Sequence, residues 1–294
     1  MNIIKWIDKR KHWWKVFVLI VTVSIAVVGY IGYQTYQYAP PLADFKTESG
    51  EVVFESKSIT DGQQVFLRHG LMEYGSFLGD GAMRGPDFSA EALHLTAVWM
   101  NEIRDAQWRQ RVPEDDKRAT FVKALVQEEL KRNTYVPTTN VVTLSDAQAE
   151  SFARLQRYYS EMFGTGGALV GKEGFSTANY ITDAQEIADL TAFFYWGGWM
   201  CAAERPGFDY SFTHNWPYDP LAGNTPTAEV VFWSVIGGLM LILAMGIVFY
   251  YYGKMDREAL FEAQQAQTPP LATTERVNKF EPTPTQRACY KFFA

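Results

Sequence analysis

Four histidines and two cysteines are the side chains in this 294-residue chain best suited to hold a metal or act as nucleophiles, and they are scattered. His12, His69, His94 and His214 have no His or Cys neighbour at ligand spacing, and CxxC, CxxCH and HExxH do not occur. His69 and His94 fall within helical patterns, where a hydrogen-bonded structural role is expected. His214 lies in a proline-rich stretch and is a better candidate for an interface hydrogen bond than for catalysis. Neither GxGxxG nor GxxxxGK[ST] is present, and no Ser–His–Asp arrangement stands out, so the chain alone carries no recognisable active site. One stretch makes a clear backbone demand. Leu71–Phe88, "LMEYGSFLGDGAMRGPDF", places Gly75, Gly79, Gly81 and Gly85 in a short span, the composition of a loop held at positive φ or pressed against a neighbour. The net charge of −6, with no basic face, excludes nucleic acid as a partner.

The elements around these residues are mostly helical. After Pro40–Pro41, "EVVFESKSI" reads as a hairpin or edge strand. Asp61 is expected to cap "GQQVFLRHGL". Ser89, with Glu91 in the first turn, is expected to open "AEALHLTAVWMNEIRDAQWRQR", with Leu95, Val98 and Trp99 on one face. Pro113 precedes an acid-first, base-last helix, as the helix dipole favours. Ser145–Asp146 precedes a helix that Gly164 ends, and Asp183 opens "AQEIADLTAFFYWGGWMCAA". From Glu204 to Thr227, closely spaced aromatics and prolines replace any helical period. Such a segment is expected to be functional or packed on a partner.

Two apolar runs frame this domain. Val16–Tyr33 is 18 residues without a charge and Val230–Tyr252 is 23. Roughly 20 apolar residues cross a bilayer core of about 30 Å. Trp13–Trp14 and Tyr250–Tyr252 flank the runs as interfacial aromatics do. "QTYQYAPPLADF" offers no small-residue cleavage site, so the first run reads as an uncleaved anchor. Lys5, Lys9, Arg10, Lys11 and Lys15 precede the first run, and Lys254 and Arg257 follow the second. The positive-inside rule therefore places both termini in the cytoplasm and the intervening domain outside. The expected order is a basic N-terminus (1–15), a span (16–33), an outer domain (34–229), a second span (230–252), a cytoplasmic loop (253–288) and the start of a third span (289–294). On this topology Cys201 and Cys289 lie on opposite sides and cannot pair.

"YGSFLGDGAMRGPDFSAEALHL", "AFFYWGGWMCAAERPG" and "YSFTHNWPYDPLAGNTPTAE" closely resemble the N-terminal region of quinol-dependent nitric oxide reductase, the single-chain member of the haem–copper oxidase superfamily. The resemblance covers essentially the whole chain. It implies a membrane-anchored, mainly α fold in which two transmembrane helices flank a periplasmic cytochrome c-like domain. The chain would lie in a bacterial cytoplasmic membrane. Leu71–Gly75 stands where the two-subunit relatives carry CxxCH, so the resemblance implies a domain without haem c. It implies reduction of two NO to N2O and water by membrane quinol in a complete enzyme. Haem b, haem b3 and non-haem iron would be bound by a catalytic membrane unit beyond this segment. A calcium would take the Gly81 carbonyl as one ligand, although Met83 replaces the family's frequent second ligand, a tyrosine. Glu204, Arg205, His214, Asn215, Trp216 and Tyr218 are the expected interface with the catalytic unit. Two alternatives remain open at this point: a nitric oxide dismutase, and a haem-free accessory subunit.

Overall fold

The computed structural model describes residues 13–164, 179–265 and 286. The basic residues through Lys11, His12, Cys289 and the expected third span (289–294) lie outside the described residues, as does most of the 253–288 loop. The chain divides into two compact units, Met1–Phe232 and Trp233–Ala294.

Helix α1 (Trp13–Gln37) is built from β-branched and aromatic residues with little propensity for a loop, and its apolar side chains from Phe17 to Tyr36 are exposed along its length. A soluble core helix would bury that surface. Within it, Trp14–Gln37 is long and apolar enough to cross a membrane. In the last helix, Ala228–Gln265, the same holds of Ala228–Glu258. Both helices outrun the expected spans, because the polar residues that close each apolar run remain helical. Lys254 and Glu258, paired at 3.6 Å, extend the last one.

Between these helices, among the described residues, the chain forms a four-stranded sheet, a two-stranded ribbon and five further α-helices. Strands β1 (Asp44–Thr47) and β2 (Val52–Phe54) form an antiparallel pair. Helix α2 (Ser56–Arg68) follows at once. Asp61 therefore does not cap it but lies in its interior, paired with Lys57 one turn earlier. This corrects the expected start, and it also shortens the expected strand, which ends at Phe54. A ribbon of β3 (Ser76–Phe77) and β4 (Asp80–Gly81) then leads to α3 (Phe88–Trp108). Its cap is Asp87 rather than Ser89. The Asp87 carboxylate accepts from Ala90 N at 2.9 Å, while Ser89 is already in the first turn and donates to the same carboxylate. The buried face of α3 is Ala92, Leu93, Thr96, Ala97, Met100 and Ile103; Leu95, Val98 and Trp99 lie on its flank. Leu95 and Trp99 are partly buried and pack against the core from that flank.

Helix α4 (Asp115–Lys131) is acid-first and base-last as expected. Strands β5 (Tyr135–Val136) and β6 (Val141–Leu144) complete a sheet of order β2-β1-β6-β5, in which β6 runs parallel to β1. Helix α5 (Asp146–Tyr159) starts with a full capping box, Ser145 and Gln148 each bonding the other's backbone, and closes in a π turn at Ser160–Gly164. Helix α6 (Ala184–Ala202) is capped by Asp183, whose carboxylate accepts from Gln185 N at 2.8 Å.

The core lies where α6 crosses α2 and α3. An added Cβ on Gly62 would sit 2.0 Å from the Asp189 carbonyl oxygen, and one on Gly198 2.9 Å from Leu93 N. Only glycine permits these backbones to approach so closely. Around the crossings, Phe88 stacks on Phe194 at 4.5 Å and Phe77 on Phe193 at 4.2 Å, with Phe66 and Tyr159 edge-on to Phe194. Full burial of a phenylalanine contributes about 1.5–3 kcal/mol and each ring pair about 0.5–1.5 more. Arg118, 7% exposed, ties α3 to α4. It donates to Asp105 and Asp115, both at 2.5 Å, and to the Val112 and Pro113 carbonyls. These bonds hold the Asp105 carboxyl below its usual value.

Candidate functional site

Two stretches singled out by sequence, the glycine-rich loop and the segment from Glu204 to Thr227, meet on one face of the first unit. The Asp87 carboxylate organises the loop. Besides capping α3, it accepts from Ser76 Oγ at 2.8 Å and Gly79 N at 2.6 Å, while Leu78 N donates to Ser89 Oγ at 3.1 Å. The glycines are needed for contacts inside the loop itself. A Cβ on Gly81 would lie 2.4 Å from Gly75 O, and Gly81 has φ +140°; one on Gly85 would enter the Tyr74 ring. Gly79 faces the second stretch, its Cβ position 3.9 Å from Trp216 Nε1. The ribbon around Gly79–Gly81 is exposed, and Met83 is 99% exposed.

The second stretch has no helix, but it has a framework. Glu204 bridges to Ser211, and its backbone bonds Lys131 O (2.9 Å) and Asn133 Nδ2 (2.8 Å). Asn215 accepts from Ser211 N and donates to Thr225 O, both at 2.8 Å. Asp219 accepts from Leu221 N and Ala222 N, and His94 Nδ1 reaches its other oxygen at 2.7 Å. Buried Asn224 donates to Cys201 O and Pro217 O. Asp87, Asp219 and Asn224 are thus the positioning residues that sequence reading passed over, while His94 fills the hydrogen-bonded structural role expected of it. The Asx-turn signal in "DPLAGN" and the Asp before "FSAE" were the traces they left.

The six expected interface residues divide into three kinds. Glu204 and Asn215 hold the segment's own backbone. Arg205 and His214 flank the Tyr210 ring, His214 stacked on it at 4.3 Å and the guanidinium 5.8 Å from its centre. Trp216 and Tyr218 are 51% and 52% exposed, and Trp216 lies beside the glycine ribbon. Among the described residues, Arg205 Nε, His214 Nδ1 and Thr227 Oγ1 are buried without a hydrogen-bond partner. Arg104 Nε is the other such atom, so three of four fall in this one segment. Buried polar atoms are ordinarily satisfied, so this cluster of exceptions sets the segment apart from the rest of the described domain. His69 bonds Glu186 at 2.9 Å and belongs to the domain's fabric, as its position in a helical pattern suggested.

No group of three His, Cys, Asp or Glu side chains able to hold a metal occurs among the described residues. The domain's interior is closed. A cavity of about 10 Å³ between Leu93, Tyr195 and Trp199 has room for one water. Cys201 is buried, donates to Gly197 O at 3.0 Å, and is pushed up to about 12 by desolvation.

Residues 43–218 match the family model of the cytochrome c-like domain of NorB, the nitric oxide reductase component of that name. The chain belongs to this family. The match spans more than half of the chain, from the first strand to the exposed Tyr218. The glycine-rich ribbon and the Trp216 face are therefore parts of the NorB domain rather than appendages to it. No curated protein matches the chain significantly. As the N-terminal region of a NorB-type nitric oxide reductase, the chain couples a cytochrome c-like domain to two helices able to cross a membrane.

Proposed function

We propose that the chain is the anchor and outer cap of a quinol-oxidising nitric oxide reductase. In that enzyme two NO and one quinol yield N2O, water and quinone. The NorB match between two membrane-length helices carries this reading. Quinol rather than a soluble cytochrome as donor is supported by the chemistry of the domain. Covalent haem c needs two thioether cysteines and an axial histidine, and the turn after α2 offers Leu71–Gly75 instead. Buried Leu71 and the Phe66, Phe77 and Phe88 rings fill the interior beside that turn. The residues present do not fit haem c, and no electron route is drawn through this domain.

The basic flanks support a topology with both termini in the cytoplasm and the domain in the periplasm of a bacterial inner membrane. Trp216 and Tyr218, on the framework of Glu204, Arg205, His214 and Asn215, would meet the catalytic unit that binds haem b, haem b3 and non-haem iron. Calcium requires six to eight oxygens. The exposed Gly79–Gly81 ribbon could lend the Gly81 carbonyl, with Asp80 beside it, so the remaining ligands would belong to the catalytic unit.

The test uses membranes carrying the chain with its catalytic unit, supplied with isotopically labelled NO and either a reduced quinol or reduced cytochrome c. Labelled N2O formed with quinol alone is the expected result. Labelled N2 with O2 would replace the reading by a dismutase. Turnover driven by cytochrome c alone would refute quinol as donor.

A further inference from the structure

At the outer end of α1 an open groove of about 570 Å³ lies between the last helical turn and the start of the 204–227 segment. Its walls are Thr35, Tyr38, Phe208, Tyr210 and Phe212, and Arg205 is part of its lining. The guanidinium lies 5.3–6.0 Å from the centres of the Tyr38, Phe208, Tyr210 and Phe212 rings. Its Nη2 donates to Phe212 O at 2.8 Å, and its buried Nε has no acceptor. Among the described residues no carboxylate pairs with it; neighbouring Asp209 is exposed and makes no ion pair. A partly buried cation ringed by aromatics and lacking a counter-ion calls for an anion with oxygen acceptors, and the planar fork of arginine suits a phosphate.

We propose that this groove seats the phosphate of an anionic phospholipid. Depth selects a lipid over a soluble anion. The 24-residue run Trp14–Gln37 rises about 36 Å, slightly more than a hydrocarbon core of about 30 Å. The turn carrying Thr35 and Tyr38 therefore emerges at the headgroup layer. Tyr30, Tyr33 and Tyr36 on the same end are exposed, as an interfacial belt requires. The volume lies within the range of small-molecule sites, and its aromatic walls suit glycerol and the first acyl carbons. The proposal rests on α1 spanning the membrane and not on the catalytic reading.

The experiment is native mass spectrometry of the full chain released in mild detergent from vesicles of phosphatidylglycerol and phosphatidylcholine. Two variants are compared: Arg205→Ala, which removes the cation, and Thr35→Trp, which fills the groove from an exposed helical position without touching the arginine. Wild type should retain phosphatidylglycerol selectively. Both variants, folded by circular dichroism, should retain about tenfold less, Arg205→Ala because one charge-assisted bond goes and Thr35→Trp because the indole occupies the groove. Equal retention by all three proteins would overturn the proposal. So would equal protection of lipid-free protein against heating by inorganic phosphate. Extraction of wild type from the vesicles by alkaline carbonate would show instead that the membrane-span premise fails. A protein that stays embedded but keeps no lipid would refute the groove alone.

Discussion

Where α6 crosses α2 and α3, and where α3 meets α4, each surface is answered from inside the domain. Gly62 lies against the Asp189 backbone, Phe194 is sandwiched by Phe88, Phe66 and Tyr159, and the Arg118 charge is met by two carboxylates and two carbonyls. In the 204–227 segment the backbone is equally well held, yet polar atoms of Arg205, His214 and Thr227 are left over and the Trp216 and Tyr218 rings face out. The same chain thus closes one region upon itself and leaves polar atoms and large rings unanswered in the other. A domain that existed only to be stable would gain from converting the second region into the first, so the open face is where function is to be sought.

Perturbation should separate the two regions. Gly62→Val should have the largest effect. Its Cβ would meet Asp189 O at 2.0 Å and Asp189 C at 2.5 Å, backbone contacts that cannot give cheaply. A loss of about 3 kcal/mol or more is expected, read as a strongly lowered melting temperature or no folded yield. Phe194→Ala leaves a large hole in the ring cluster and should cost about 3–5 kcal/mol in denaturant unfolding. Asp87→Ala removes the α3 cap and the tether of the glycine ribbon together. The cap alone is worth about 0.5–2 kcal/mol, and amide exchange at Ser76–Gly81 should quicken beyond the global change. Undiminished protection there would show that the ribbon is held by other means.

Asp105→Asn tests the charge network through pH. Hydrogen bonds from Arg118, then Arg109, keep the Asp105 carboxyl below its ordinary 3.8. A depressed folded value means that the stabilisation is present above the unfolded value and is lost as pH falls through the folded one. The variant should therefore be less stable than wild type at neutral pH, and the gap should close only below pH 3.8. A gap that persisted unchanged in acid would assign the difference to packing instead.

Much of the closed region was legible in the sequence because caps and periodicity are local signals. Ser145, Asp183 and the acid-first α4 announced their helices, and the two apolar runs announced theirs. What failed did so for nonlocal reasons. Asp61 had a good cap's chemistry but sat one turn inside a helix whose true start, after Glu55, has no side-chain cap. Leu95 and Trp99 do pack against the core, but the fully buried stripe of α3 beside them follows from the close approach of Gly198 to the Leu93 backbone, a contact written in another element. The parallel pairing of β1 with β6 joins residues nearly a hundred positions apart, and no local pattern encodes it. In the open region the sequence marked the right segment through its prolines and aromatics. It did not divide framework from surface: Glu204 and Asn215 hold the segment's backbone while Trp216 and Tyr218 are exposed, and the division depends on where His94 and Lys131 lie in space.

Completion of the Trp216 face by the catalytic unit of a nitric oxide reductase is the central claim. A photoreactive benzoylphenylalanine at position 216, irradiated in membranes carrying the complete enzyme and followed by peptide mapping, tests it most directly. A crosslink from the peptide containing position 216 to a peptide of the catalytic unit is the expected result. Crosslinks confined to this segment, or to lipid alone, would contradict it.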